Sequence, residues 1–197
     1  MSNAELLNKL KETTTSKEGN LLIYCDGADA MQSQVSFLQK YLKKINPKFV
    51  LETGTNLGCF SVLLKEILSD TKLITFGIDN FSSQCVNIIE DYYKDNFIEF
   101  IHGDSRITFS EYDSKDKEID FAWIDGGHAF DVCLSDLINC DRLNIENIFV
   151  DDYGYPTDQD NPTGSVRLAV NEFCHTHQYN IVDFEDNGRN IVYLKKD

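Results

Sequence analysis

The chain has 197 residues, 42% hydrophobic and 26% charged, which is the size and composition of one globular domain with a real core and excludes whole-chain disorder. Eighteen basic against 33 acidic residues leave a net charge of −15, a surface that repels nucleic-acid backbones and anionic lipid heads. No apolar stretch approaches the ~20 residues that span a bilayer, and the polar N-terminus lacks a secretion core. The six cysteines (Cys25, Cys59, Cys85, Cys133, Cys140, Cys174) show no two-residue spacing, so a cytoplasmic chain with reduced thiols is expected.

In chain order, a helical stretch is expected over 4–12, an extended segment over 21–25 and a helix over 28–45. Met31, Val35, Leu38 and Leu42 form a stripe on that helix at helical spacing. Residues 1–46 read as an N-terminal helical cap on a single compact domain formed by 47–197. From Pro47 the pattern alternates regularly. Strands are expected at 49–51, 73–78, 97–101, 119–124 and 148–150. Helices are expected at 60–68, 83–93, 130–143 and 166–177, with a short helical turn ending near 112. A loop over 153–163 follows the fifth of these strands. The end reads as two strands, 179–185 and 189–194, joined at Asp186-Asn187-Gly188, a strong hairpin signal.

Strands alternating with helices imply parallel β-α-β units with right-handed crossovers. The expected fold is an α/β three-layer sandwich: a mostly parallel seven-stranded sheet with a C-terminal antiparallel hairpin. Such sheets bind ligands at the carboxyl ends of their strands, so the residues there carry the functional argument.

The first strand runs into Glu52-Thr53-Gly54-Thr55-Asn56-Leu57-Gly58-Cys59-Phe60-Ser61 and then a helix. Gly54 and Gly58 permit a tight turn and close ligand approach, and the helix N-terminus offers free N–H groups. The dinucleotide fingerprint and the P-loop lysine are both absent. The second strand ends at Asp79-Asn80, where a carboxylate has two oxygens for the two hydroxyls of a ribose. The third ends at His102-Gly103-Asp104-Ser105, a polar turn suited to the edge of a base.

Trp123-Ile124-Asp125-Gly126-Gly127-His128 closes strand four and Phe149-Val150-Asp151-Asp152-Tyr153 closes strand five. Neighbouring parallel strands lie about 4.8 Å apart, so Asp125 is brought towards Asp151 and Asp152. Carboxylates so gathered repel unless protonated or bridged by a cation, and hard oxygen donors suit Mg²⁺. The alternative is that Asp125 lies at a cofactor while the Asp pair caps a loop without metal. His128 follows three residues after Asp125. An unperturbed imidazole titrates near ~6.5, which fits a general base; a structural hydrogen bond at a helix start is the other reading.

The succession of acid-x-Gly-x-x-x-Gly, then an acid, then Gly-Asp, after three consecutive strands, resembles the class I S-adenosylmethionine-dependent methyltransferases, whose fold is Rossmann-like. The resemblance implies that Glu52, Gly54, Thr55, Asn56, Gly58, Ser61, Asp79, Asn80, Asp104, Ser105 and Asp125 hold the cofactor. Within that family the glycine turn takes the methionine part, the second acid the ribose and the third turn the adenine. Asp125-Gly-Gly-His-Ala-Phe-Asp131 with Asp136-Leu137, and Val150-Asp-Asp-Tyr-Gly154 with Val166 to Phe173, resemble the metal-dependent O-methyltransferases related to macrocin O-methyltransferase. That resemblance implies Asp125, Asp151 and Asp152 as Mg²⁺ ligands and His128 as catalytic base. Two departures stand out: Leu143-Asn144-Ile145-Glu146-Asn147 replaces the usual Pro-Gly-Gly before strand five, and Thr53 stands where an aliphatic residue is usual.

The expected activity is transfer of a methyl group from S-adenosylmethionine to a hydroxyl of a small molecule or sugar, assisted by Mg²⁺ and a His base. A metal-independent N-methyltransferase and a non-catalytic S-adenosylmethionine-binding protein are the alternatives. Neither nucleic acid nor membrane is expected as a partner, and self-association is left open.

Overall fold

A computed structural model describes residues 28–115, 117–154, 166–185 and 191–197. The expected elements at 4–12 and 21–25, most of the 153–163 loop and the Asp186-Asn187-Gly188 turn lie outside the described residues. Among those described, no helix is long and apolar enough to cross a membrane.

The chain opens with α1 (Ala28–Ile45) and β1 (Phe49–Thr53). It continues through α2 (Cys59–Ile67), β2 (Lys72–Gly77), α3 (Asn80–Tyr93), β3 (Ile98–His102) and α4 (Ser105–Glu111). Then come β4 (Phe121–Ile124), α5 (Phe130–Arg142), β5 (Asn147–Val150), α6 (Val166–Thr176), β6 (Tyr179–Phe184) and β7 (Val192–Lys196). The seven strands make one sheet in the order β3-β2-β1-β4-β5-β7-β6. The first five in that row run parallel, and β7 pairs antiparallel with both β5 and β6.

The central strands are short, apolar and buried on both faces, the mark of a parallel sheet covered by helices. Alternate residues divide between two cores. Leu51, Ile74, Ala122, Ile124, Ile148 and Val150 point to a core that also takes Phe109 of α4, Leu137 of α5 and Phe173 of α6. Val50, Leu73, Phe121, Trp123 and Phe149 point the other way, to Leu42 of α1, Leu64 of α2 and Ile89 of α3. The second core has an aromatic spine. Phe149 stacks on Phe121 at 4.8 Å and on Tyr193 at 4.5 Å, and Tyr41 of α1 closes over both Phe149 and Tyr193. The Tyr41 hydroxyl and Lys40 both bond Asp183 of β6, fixing α1 across the far edge of the sheet.

The differences from the sequence expectation have local causes. β1 extends to Thr53 because Glu52 and Thr53, although polar, are fully inside the sheet. α3 begins at Asn80 rather than 83, since Asp79, extended at φ −80° and ψ 135°, serves as its cap residue. Before β5, Asn144 takes φ 58°, the left-handed conformation that a Pro-Gly-Gly turn would give to glycine.

Phe149 packs against four rings from three elements, Phe37 and Tyr41 of α1, Phe121 of β4 and Tyr193 of β7, so truncating it opens a cavity that no single neighbour can fill. Phe149→Ala should lower the free energy of unfolding by about 3–5 kcal/mol in a denaturant titration.

Candidate active site

The strand ends β1, β2, β3 and β4 surround one cavity of about 510 Å³. Its wall is assembled by backbone that continues the sheet's hydrogen bonding past the strands. Gly54 N–H donates to the Phe76 carbonyl at 2.9 Å, Gly103 N–H to Gly77 O at 3.0 Å, and Asp125 N–H to Thr53 O at 3.0 Å. Gly54 has φ +97°, and a Cβ built there would lie 1.9 Å from the Asp125 carbonyl oxygen. Only glycine lets the two turns touch.

Of the residues expected to hold the cofactor, Gly54, Thr55, Asn56, Asp79, Asp104, Ser105 and Asp125 line this cavity. Glu52, Gly58, Ser61 and Asn80 do not. The Asp79 carboxylate is exposed at the cavity and makes no capping bond to α3. Asn56 Oδ1 on the wall, with Ser61 Oγ and Ser82 Oγ at the starts of α2 and α3, is buried with no hydrogen-bond partner among the described residues. Polar atoms left so, around a glycine turn and beside an open carboxylate, fit a polar ligand such as the amino-acid and ribose parts of S-adenosylmethionine.

Asp104 caps α4 by accepting from Arg106 N–H at 3.0 Å. The Arg106 guanidinium also grips Asp104 at 2.7 Å, reaches Asp131 at 3.0 Å, and holds the Asp104 carboxyl below the usual carboxylate range. Arg106 therefore clasps the cavity rim between β3 and α5. Sequence reading passed over it, although it directly follows Asp104-Ser105. Also missed were Phe76, Ile78, Phe81 and Val132, the apolar part of the wall. Ile78 is 62% exposed, an apolar side chain at a ligand opening whose signal in the sequence is only its place before Asp79.

At the β4 and β5 ends, Asp125, His128 and Asp152 place one ligand atom each within 4.8 Å of one another. His128 Nε2 lies 3.0 Å from Asp152 Oδ2. Asp152 is 3% exposed with φ 57°, and its Oδ1 has no hydrogen-bond partner among the described residues. Asp151, the other acid of the pair, is buried but stands outside this group. None of the described side chains of α1 lines the cavity.

Two acids lie behind the wall. Glu52 is wholly buried, and Thr75 Oγ1 donates to it at 2.5 Å. Thr75 Oγ1 meets Thr55 Oγ1 at 2.7 Å, so a row of hydroxyls links Glu52 to the cavity wall. Burial pushes the Glu52 carboxyl up to about 8, the Thr75 bond opposing it. Asp136 of α5 is equally buried and pushed up to about 6 by desolvation.

The comparisons agree with this geometry. Residues 51–153 match a family model described as a methyltransferase domain, and the chain belongs to that family. It is a class I S-adenosylmethionine-dependent methyltransferase. No curated protein is significantly similar to it in sequence. Among solved structures, an O-methyltransferase from Bacillus cereus in complex with S-adenosylhomocysteine superposes with a TM-score of 0.75 at 16% identity, over 100% of this chain and 93% of that one. TomG from Streptomyces achromogenes, an O-methyltransferase of tomaymycin synthesis bound to S-adenosylmethionine, gives 0.74 at 16% identity, over 99% and 91%. The S-adenosylhomocysteine-bound methyltransferase PaMTH1 from Podospora anserina gives 0.70 at 14%, over 100% and 89%. At these identities the likeness is one of fold.

Two outcomes follow. Gly54→Ala drives a methyl group into the Asp125 carbonyl, so binding of S-adenosylhomocysteine should fall tenfold or more in calorimetry while the circular dichroism spectrum is kept. Glu52 has a folded-state value raised above the ~4.3 of an unfolded chain. The folded state therefore holds the proton more tightly, and this group's contribution to stability falls as pH rises from ~4.3 towards about 8. Thermal melts of Glu52→Gln against the wild type should diverge in favour of the variant between pH 5 and pH 8.5, an interval set by that window.

Proposed function

We propose that this enzyme methylates a hydroxyl of a small molecule, with sugars among the candidate acceptors, using Mg²⁺ held at the β4 and β5 ends and His128 as base. The observation that carries the reading is the convergence of Asp125, His128 and Asp152 beside the cavity lined by Gly54, Asp79 and Ser105. The O-methyltransferases among the structural neighbours support the choice of oxygen as acceptor.

The glycine turn and Asn56 would hold the methionine part of S-adenosylmethionine, Asp79 its ribose and Asp104-Ser105 its base. When bound, the cofactor supplies an electrophilic methyl group on a sulfonium. Asp125 and Asp152 are the two acids the structure brings together, hard oxygen donors that fit a magnesium ion. A cation there would acidify a nearby hydroxyl. With Nε2–H donating a hydrogen bond to Asp152, the imidazole keeps its lone pair on Nδ1, the atom that takes the acceptor's proton. Asp152 then faces the imidazolium and stabilises it, as a buried carboxylate beside a base does. The glycine turn and the strand ends contribute alignment, the larger part of the rate in a displacement of this kind.

His128→Ala should lower turnover by about 10²–10⁴-fold with cofactor affinity nearly unchanged. A stable variant with wild-type turnover would remove His128 from the reaction. Asp152→Asn should weaken Mg²⁺ binding and spare S-adenosylhomocysteine binding, both read by calorimetry. Activity that survives exhaustive EDTA treatment would exclude the metal and leave the base alone.

A further inference from the structure

Asp136 sits on the second turn of α5, completely buried, with both carboxylate oxygens lacking a hydrogen-bond partner among the described residues. The groups that face it are the hydroxyls of Thr53 at the end of β1 and Ser105 at the start of α4, with Asp104 and Arg106 acting through charge. On its own helix it meets the thiols of Cys133 and Cys140. Its Oδ2 lies under Gly126, where an added Cβ would approach it and Thr53 Oγ1 to 3.2 Å each. Gly126 and Ser105 line the cavity and Asp136 does not. The acid thus lies behind the wall, with Ser105 belonging both to its surroundings and to the cavity lining.

As a contribution to stability this placement makes no sense. Its surroundings include the buried Cys133, Leu137 and Cys140, and an apolar side chain would sit there without the desolvation that an unpaired carboxyl suffers. The departure at Thr53 points the same way, because it brings a second hydroxyl to the acid where an aliphatic side chain would bring none. What a buried carboxylate does supply is a direction: it only accepts hydrogen bonds. A Ser105 hydroxyl that donates inward keeps its lone pairs for the cavity. It then meets a ligand as an acceptor.

We propose that Asp136 is a positioning residue for specificity: it fixes Ser105 as a hydrogen-bond acceptor, so that the cavity takes a base bearing an exocyclic amine, adenine, over its 6-oxo counterpart. This depends on the reading that Asp104-Ser105 holds the base. A site built around one donor rejects the analogue that lacks it, because a buried polar group is then left unpaired.

The test measures binding of S-adenosylhomocysteine and of its 6-oxo (inosyl) analogue by calorimetry, with no turnover involved. The wild type should prefer the adenine compound by about tenfold or more. Ser105→Ala should bring the two affinities close to parity. Asp136→Leu, similar in volume but with no acceptor, should also bring the ratio towards parity while its melting temperature holds or rises, and adding it to Ser105→Ala should change the ratio no further. A purely structural Asp136 predicts the opposite pattern, a lowered melting temperature with the wild-type ratio intact, and that result overturns the proposal. Should the leucine variant fail to fold, Asp136→Asn takes its place: its carboxamide can donate to Ser105, the ratio should fall, and an unchanged ratio is equally fatal. If the wild type binds S-adenosylhomocysteine but Ser105→Ala keeps the full preference, the base lies elsewhere and the proposal falls with that placement. If the wild type binds neither compound, the cofactor reading itself is at fault.

Discussion

The contact between Gly54 and the Asp125 carbonyl is the constraint on which the site depends. It ties the glycine turn after β1 to the acid turn after β4, backbone against backbone, with no side chain between them. The parallel register makes this possible, since Thr53 pairs with Ile124 and the two chains leave the sheet at the same level. The walls that would face the methionine part and the acceptor are therefore one rigid unit. Transfer of a group across roughly an ångström requires that rigidity, which a loop held by side chains would not provide.

Around this contact the charges are arranged in two layers. Asp79, exposed, and Asp104, half-buried, line the opening, and Arg106 draws Asp104 and Asp131 together at the rim. Behind the wall, Glu52 and Asp136 are buried: Glu52 is linked to the cavity wall through Thr75 and Thr55, and Asp136 faces the hydroxyls of Thr53 and Ser105. The outer layer can bind. In the role proposed for Asp136, the inner layer sets which way the Ser105 hydroxyl points.

Much of this was legible in the sequence. The apolar triplets and quartets gave the strands, because a strand covered on both faces must be apolar throughout. Residues directly after those strands had to lie at the site. What could not be read was orientation. Glu52 stands two residues before Gly54 in a motif expected to touch the cofactor, yet inside the strand it pairs with Thr75 instead. Asp151 and Asp152 are equivalent as letters. A left-handed φ at Asp152 separates them and turns the second acid towards His128. Asp136 lies at an ordinary helical position, and nothing in its spacing announces that Thr53 and Ser105 converge on it from two other elements.

The position of β7 has a consequence for how the molecule is made. The last strand, Val192–Lys196, is an interior strand, lodged between β5 and β6. Its Tyr193 completes the aromatic spine, and α1 is anchored to Asp183 across a separation of 143 residues. During synthesis α1 emerges before its partners on β6 and β7, and the parallel half of the sheet keeps an open β5 edge until β7 has followed. Completing the sheet therefore joins α1 to a hairpin 143 residues downstream, with the loop-closure entropy of that separation to overcome.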